Sequence, residues 1–321
     1  MPECAPTVDR VFIAGSDTLL GEALIRRAKH DPRNEVLDEH GAGVRLDDAP
    51  QLQQVFDDWQ PQYVIHAAGP SGGIGYNQRC PAVLARDNLA VLLPILAAAN
   101  RPHVRRLIYL ASSCCYPRDC RQPMSVADLW TGKLEPTNQA YAAVKLAGIA
   151  LCQAYRQQYG RDYVAAIPAN AFGLADHFDP QQGHVVPALL TRMHTAKLAG
   201  AESLDIWGTG QARREFLHAD EVADAALWVM RAPQCPEIIN LSGGIELSIR
   251  ELAQEIAEIV GYRGELIFDA SRPDGMPRKA LDAEPLRALG WQPHRSLRAS
   301  LEQTYNHFVE RWQAEEPVNV R

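Results

Sequence analysis

A chain of 321 residues is too long for one small core and suits a two-lobed enzyme or two modest domains. With 46% hydrophobic and 22% charged residues, its composition excludes disorder as the main state. A net charge of −7, from 32 Lys+Arg against 39 Asp+Glu, excludes a surface that gathers nucleic acid or an anionic membrane, so an anionic ligand needs local arginines.

The opening Met-Pro-Glu-Cys-Ala-Pro has no basic segment followed by an apolar one, so it does not read as a signal peptide. No run approaches the ~20 consecutive apolar residues of a membrane span. In chain order, residues 11–14 read as a buried strand, 19–30 as a helix, 34–38 as a strand and 51–59 as a helix. Residues 63–68 read as a strand, 89–100 as a helix carrying Pro94, 106–110 as a strand, 140–159 as a long helix and 163–168 as a strand. This alternation predicts an α/β protein with a Rossmann-type doubly wound parallel sheet. Beyond Pro168, Pro180, Gly183, Pro187, Gly208 and Gly210 punctuate shorter segments, the pattern of a smaller mixed substrate lobe. A helix over 219–230 and a strand over 238–241 return to the first sheet. Then come a helix over 248–260, with Ser248 and Glu251 spaced as a capping box, a turn at 271–275 and a last helix over 297–312. The expected division is a dinucleotide-binding domain from 1–173 and 213–243, and a second lobe from 174–212 and 244–321.

The cysteines Cys4, Cys80, Cys114, Cys115, Cys120, Cys152 and Cys235 are odd in number, scattered and without a C-x-x-C pair. Neither a disulfide framework nor a zinc or other metal site is expected, and a reducing cytoplasm is the simpler home. Gly15-Ser16-Asp17-Thr18-Leu19-Leu20-Gly21 lies between the first strand and the first helix. There, backbone N–H groups and the helix dipole can hold a pyrophosphate. Two glycines in a turn are equally a tight connection; the strand before, helix after and parallel sheet favour the dinucleotide. Asp38 and Glu39, near the end of the second strand, could accept the adenosine ribose hydroxyls or be solvated loop acids.

Tyr141 and Lys145 fall one turn apart on one helix face. A phenol ionises near pH ~10, and a nearby ammonium together with an oxidised nicotinamide favours the phenolate and draws it toward neutrality. Ser112, at the preceding strand end, can hydrogen-bond a carbonyl oxygen beside that phenol. Together with the glycine turn, this set resembles the short-chain dehydrogenase/reductases of the extended type.

Longer runs narrow the resemblance. Ser112-Ser-Cys-Cys-Tyr-Pro117, Leu134-Glu-Pro-Thr-Asn138, Tyr159-Gly-Arg-Asp-Tyr163, Gly183-His-Val-Val-Pro-Ala-Leu-Leu190, Arg214-Glu-Phe-Leu-His218 and Phe268 to Lys279 resemble the GDP-L-fucose synthase family, in order from Arg10 to about Phe308. The resemblance implies an NADP-dependent homodimer that epimerises C3 and C5 of GDP-4-keto-6-deoxy-D-mannose and reduces C4, giving GDP-L-fucose. It makes Cys114 the base, His184 the acid, Ser112 and Tyr141 the stabilisers of the enolate oxygen, and Tyr141 the proton donor supported by Lys145. Reference pKa values of ~8.5 and ~6.5 suit a thiol and an imidazole to exchange near neutrality. The resemblance further implies cofactor contacts at the glycine turn, Asp38, Glu39, Ala67, Ala68, Lys145, Pro168 and Asn170. GDP-sugar contacts are implied at Asn170, Arg192, Trp207, Arg214, Asp274 and Lys279, and the second lobe becomes the GDP-sugar lobe. The dimer would form through the helices at 89–100 and 140–159.

The sequence departs from the family at the nucleotide end. Thr18 replaces the middle glycine, Asp17 replaces an arginine, and Asp38, Glu39 and Gly41 stand where basic residues follow the second strand. Arg45 could reach back toward them. These acids predict a preference for NAD(H) over NADP(H), since an extra phosphate would meet like charge. Gly69-Pro70-Ser71-Gly72-Gly73 alters the adjoining loop. Cys115, Cys80, Cys120, Cys152 and Cys235 read as structural. Two alternatives stay open: a related GDP-sugar epimerase or 4-keto-reductase with another product, and a non-catalytic dinucleotide-binding protein, against which Ser112, Cys114, Tyr141, Lys145 and His184 argue together.

Overall fold

The computed structural model describes residues 8–180, 183–272 and 274–315; Cys4 and the opening segment lie outside them, as does Pro273 of the turn near 271–275. The chain runs β1 (Asp9–Ala14), α1 (Leu19–His30), β2 (Asn34–Asp38), α2 (Glu39–Ala42), α3 (Ala49–Trp59), β3 (Tyr63–His66), α4 (Ile74–Arg79), α5 (Pro81–Ala98) and β4 (Arg106–Leu110). It continues α6 (Gln139–Tyr159), β5 (Tyr163–Pro168), β6 (Asn170–Phe172), α7 (Val185–Leu198), β7 (Ser203–Trp207), β8 (Arg213–His218), α8 (Ala219–Arg231) and β9 (Ile238–Leu241). The last elements are β10 (Glu246–Ser248), α9 (Ile249–Val260), β11 (Glu265–Asp269), β12 (Arg278–Lys279), α10 (Glu284–Ala288) and α11 (Leu297–Glu315).

Six parallel strands form the main sheet in the order β2-β1-β3-β4-β5-β9. The expected Rossmann-type sheet is therefore present, with β9 returning to its edge. Strand order reverses between β1 and β3, and a crevice at such a reversal is where open α/β sheets receive their ligands. The four central residues Val11, Phe12, Ile13 and Ala14 are fully buried, as parallel strands covered by helices on both faces require. Helix α1 turns Ala23, Leu24 and Ala28 inward, while Arg26 and Arg27 pair with Asp220 and Asp224 of α8.

Smaller sheets carry the rest: β8 pairs with β6, β10 and β12, and β7 pairs in parallel with β11. A second hydrophobic cluster gathers Phe172, Leu190, Met193, Phe216, Leu252, Ile256, Leu301 and Phe308 around α7, α9 and α11. Leu281, Leu286 and Trp291, expected in the smaller lobe, instead pack into the first cluster under β9. Ser248 and Glu251 close the expected capping box on α9.

Two helices differ from their expected extents. α5 begins at Pro81 and runs through Pro94 without stopping, and α7 extends over a stretch that Pro187 had marked as irregular. Pro187 sits in the first turn of α7, where its missing N–H has no intrahelical acceptor and its ring meets no helical carbonyl four residues back. By length and mean composition alone α5 would pass for a membrane span, although Arg86, Asp87 and Asn88 interrupt its apolar residues. Here it packs against α6 and α3, burying Leu84, Leu92, Ile95 and Leu96.

Candidate active site

At the switch point the turn is governed by backbone proximity. Gly15 has φ +97°, and a Cβ there would stand 2.4 Å from the amide nitrogen of Ala68. A Cβ on Gly21 would stand 1.8 Å from the carbonyl oxygen of Gly15. Between them Thr18 has φ −92°, an ordinary extended conformation, so its lack of glycine freedom costs nothing. Its hydroxyl accepts from the Gly21 N–H at 3.0 Å and so caps α1, and it lies 2.8 Å from the Gly15 carbonyl and 3.2 Å from that of Ala67. The backbone of the turn fits a dinucleotide: Gly15 and Gly21 leave no room for a Cβ, and the N-terminus of α1 opens beside them.

The acids after β2 divide their work. Glu39 is buried, accepting from the N–H groups of Gly15 at 3.1 Å and Ser16 at 2.8 Å, and from the Ser16 hydroxyl. Asp38 caps the short α2 through the Gly41 N–H, and Asp17 pairs with His40 at 2.9 Å on the surface. That hydrogen bond and charge raise the His40 pKa above its ordinary value. Arg45 is held by Asp47 at 2.7 Å rather than by this group.

The second cluster forms where β4 ends. Ser112 follows that strand, and Cys114 and Cys115 lie in a short 3-10 turn capped by the Ser112 hydroxyl. Tyr141 and Lys145 approach from the first turns of α6. The Ser112 hydroxyl accepts from the Cys114 N–H at 3.2 Å, and it acts to lower the pKa of both the Tyr141 phenol and the Cys114 thiol, so one small side chain lies between the expected proton donor and the expected base. Burial pushes the Tyr141 phenol well above its usual range, with further upward pressure from Cys114 and Cys115 outweighing Ser112. Burial also pulls the Lys145 ammonium down to about 8. Its Nζ donates to the Leu110 carbonyl at 3.3 Å and lies 5.7 Å from the centre of the Tyr141 ring. The expected downward pull had two sources, the Lys145 ammonium and an oxidised nicotinamide; in the protein alone, burial is the largest influence on the phenol. A phenol that stays protonated is the form required of a proton donor.

Cys114 receives Asn138 Nδ2 at 3.0 Å and Lys279 Nζ at 3.4 Å. Its neighbour Cys115 is buried, with Sγ 3.9 Å from the Ala142 carbonyl, as a structural cysteine should be. Of the expected sugar-side residues, Arg214 donates to the carbonyls of Arg213 and Asp274, and burial lowers its pKa. Arg192 donates to the Asp205 carbonyl. The Asp274 carboxylate is engaged by the N–H and hydroxyl of Thr209. Asn170 ties β6 to β8 by donating to the Glu215 carbonyl at 2.8 Å. Trp207 is not core: it is 59% exposed, with the Arg272 guanidinium 5.1 Å from its ring centre.

His184 is the N-cap residue of α7, half-exposed, with Nδ1 3.6 Å from the Asp176 carboxylate. Asp176 is buried, and its Oδ2 has no hydrogen-bond partner among the described residues. Sequence reasoning missed Asp176, Asn138 and Glu215. Asn138 lay in a quoted run without a role, and nothing periodic marks Asp176. The buried Glu215 accepts from Ser242, Gly243, Gly244 and Leu281, binding β8 to the segment that follows Lys279.

Comparison with known proteins agrees with this geometry. Residues 11–242 match the NAD dependent epimerase/dehydratase family. GDP-L-fucose synthase 1 of Arabidopsis thaliana is 42% identical over 301 residues, covering 94% of this chain and 93% of its own. GDP-L-fucose synthase of Escherichia coli K12 is 41% identical, covering 94% of this chain and 97% of its own. Among solved structures, a GDP-L-fucose synthetase from Naegleria fowleri bound to NADP superposes with a TM-score of 0.84 at 26% identity, over 97% of each chain. With its glycine turn at the β1/β3 switch and its Ser112–Tyr141–Lys145 cluster, the chain belongs to the NAD dependent epimerase/dehydratase family, in the branch of the GDP-L-fucose synthases.

Proposed function

We propose that this protein converts GDP-4-keto-6-deoxy-D-mannose to GDP-L-fucose by epimerisation at C3 and C5 and reduction at C4. The observation that carries the reading is the convergence of Ser112, Cys114 and Tyr141 where the turn after β4 meets the first turn of α6, which sets a carbon acid's base beside a carbonyl's proton donor. A 4-keto group acidifies the hydrogens on its flanking carbons. The Cys114 sulfur takes such a proton, the C–H electron pair moves toward the carbonyl oxygen, and Ser112 and Tyr141 stabilise the charge that gathers there. His184 returns a proton to the opposite face, inverting the centre. A nicotinamide dinucleotide, held at the Gly15–Gly21 turn and beside Lys145, supplies hydride to C4 when bound. Tyr141 then gives its phenolic proton to the C4 oxygen. Arg192, Arg214 and Asp274 are the proposed GDP contacts, with Trp207 offering an exposed aromatic face to the base. The lobe built on α7, α9 and α11 is the proposed GDP-sugar lobe.

For the cofactor, NAD(H) is the proposed preference. Asp17 lies in the glycine turn and Asp38 and Glu39 at the end of β2, Arg45 is committed to Asp47, and a 2′-phosphate bound beside these acids would add roughly −1.5 to −2 of charge. A homodimer through α5 and α6, in a reducing cytoplasm, completes the proposal; Val83, Leu93 and Tyr159 present large exposed side chains on those helices. The test is incubation of the pure protein with GDP-4-keto-6-deoxymannose and NADH or NADPH, with products identified by NMR. A 4-keto sugar returned unchanged with both cofactors overturns the reading.

A further inference from the structure

Resting on the reading of Cys114 as the epimerising base, we propose that Lys279 and Asn138 are positioning residues that hold the Cys114 sulfur as a thiolate, so that the sugar-lobe strand β12 arms the base. Both groups offer the sulfur hydrogens. Lys279 Nζ is 3.4 Å away and has three donors and no acceptor; Asn138 Nδ2 is 3.0 Å away. Donors converging on one atom favour its anionic form, and a full positive charge at that distance favours it further. Asn138 Oδ1 is buried and finds no partner among the described residues, so the amide is oriented by what its nitrogen does.

The adjacent cysteine provides an internal control. Cys115 shares the same turn, and burial pushes its thiol up to about 12. Burial acts on Cys114 in the same direction, but the Lys279 charge and the donors from Ser112, Lys279 and Asn138 outweigh it, leaving the thiol below its ordinary value. The other charged and titratable groups facing this sulfur do not supply that effect. Tyr141 is a phenol that burial keeps protonated, and Lys145 spends its Nζ on the Leu110 carbonyl. Arg214 senses the Cys114 charge, but its hydrogens go to the carbonyls of Arg213 and Asp274, and Glu135 faces it as a counter-charge.

The placement of Lys279 is fixed by backbone. Lys279 pairs with Arg214 across β12 and β8, Ala280 N–H donates to Gln122 Oε1 at 3.0 Å, and Leu281 N–H donates to the buried Glu215 carboxylate at 3.0 Å. A backbone so anchored brings the Lys279 side chain to the thiol, where its Nζ lies 3.4 Å from the sulfur.

The experiment follows iodoacetamide alkylation of Cys114 in the whole protein, without nucleotide, by peptide mass spectrometry from pH 5.5 to 10. Wild-type protein should alkylate with a midpoint below the ~8.5 of a free thiol. Lys279→Met should raise that midpoint by about 1–3 pH units, slowing alkylation roughly tenfold or more near pH 7. Lys279→Arg should restore the midpoint, and Asn138→Ala should raise it independently by a smaller shift. GDP binding by calorimetry is measured on the same variants. An unchanged midpoint in Lys279→Met, with or without weakened GDP binding, overturns the proposal, and so does an unchanged midpoint in Asn138→Ala for that residue's share. Failure of the wild-type protein to exchange deuterium into GDP-4-keto-6-deoxymannose overturns the proposed function instead, and the alkylation midpoint, which needs no substrate, still decides this inference.

Discussion

The two ends of the site hold their ligands by different means. At the nucleotide end, selectivity lies in how closely backbones approach: Gly15 and Gly21 have no room for a Cβ, while Thr18 between them sits at an ordinary φ and is tolerated. At the sugar end, buried side chains set one another's proton affinity: Ser112 lowers the pKa of both Tyr141 and Cys114, and Lys279 faces the sulfur. Substitution at the first end is judged by volume and φ. At the second it is judged by charge, because low local dielectric makes each unpartnered donor or ion expensive.

The contrast is tested hardest at Tyr141. Tyr141→Phe keeps the ring and its packing but removes the proton that reduction requires. Reduction should fall by roughly 10²–10⁴-fold while GDP binding is largely retained. Turnover at the wild-type rate would mean that another group supplies the proton, and the buried, protonated phenol would lose its assignment.

The paired cysteines sharpen the same contrast. Cys114→Ser should suppress deuterium incorporation at C3 and C5 by a comparable roughly 10²-fold or more, since an alcohol is a far weaker base partner than a thiol held near working range. His184→Ala should suppress it as well. Cys115→Ser alters a buried thiol near the Ala142 carbonyl and should change exchange little, its cost appearing in stability. If Cys115 proves essential and Cys114 dispensable, proton chemistry is not governed by the Lys279 neighbourhood.

Charge at the nucleotide end should show more modestly. Titration with NADH and NADPH at one ionic strength should favour NADH, and Asp38→Ala should narrow the difference by roughly fivefold, as a single exposed charge at contact distance allows. The raised His40 pKa adds a pH handle: His40 is positive below its folded pKa and neutral above it, so NADPH should be disfavoured more as pH rises. Tighter NADPH binding across that range would show that a basic group offsets Asp17, Asp38 and Glu39.

Much of this was legible in the residues themselves. The strands at 106–110 and 163–168 and the helix at 19–30 carry their own signals, either a short apolar run or helical spacing between turn residues. The glycine turn and the Tyr141–Lys145 pair were legible because each is local in sequence. What was not legible is long-range. Lys279 meets Cys114 across 165 positions, and Glu215 meets Leu281 across 66; only pairing of β8 with β12 creates those contacts. The burial of Tyr141 and Lys145 was likewise not legible, because a spacing of one turn places an ammonium near a phenol but says nothing of how deeply both are buried.

The smallest effect belongs to Thr18 and tests the nucleotide end in isolation. Thr18→Ala removes the side-chain oxygen that accepts from the Gly21 N–H, leaving a donor of the first turn of α1 unsatisfied. Its expected cost is about 1 kcal/mol of unfolding free energy, read from urea denaturation at unchanged slope. Thr18→Gly, which places glycine at the middle of the turn, should cost only a few tenths, since glycine is a tolerated cap. Because φ at this position is −92°, the added freedom has nothing to relieve, and dinucleotide affinity should not improve with it. A gain of tenfold or more in affinity for Thr18→Gly would show that the turn must pass through a left-handed conformation when it binds. Selectivity at this end would then be a matter of flexibility rather than of the close approach between Gly15 and Gly21.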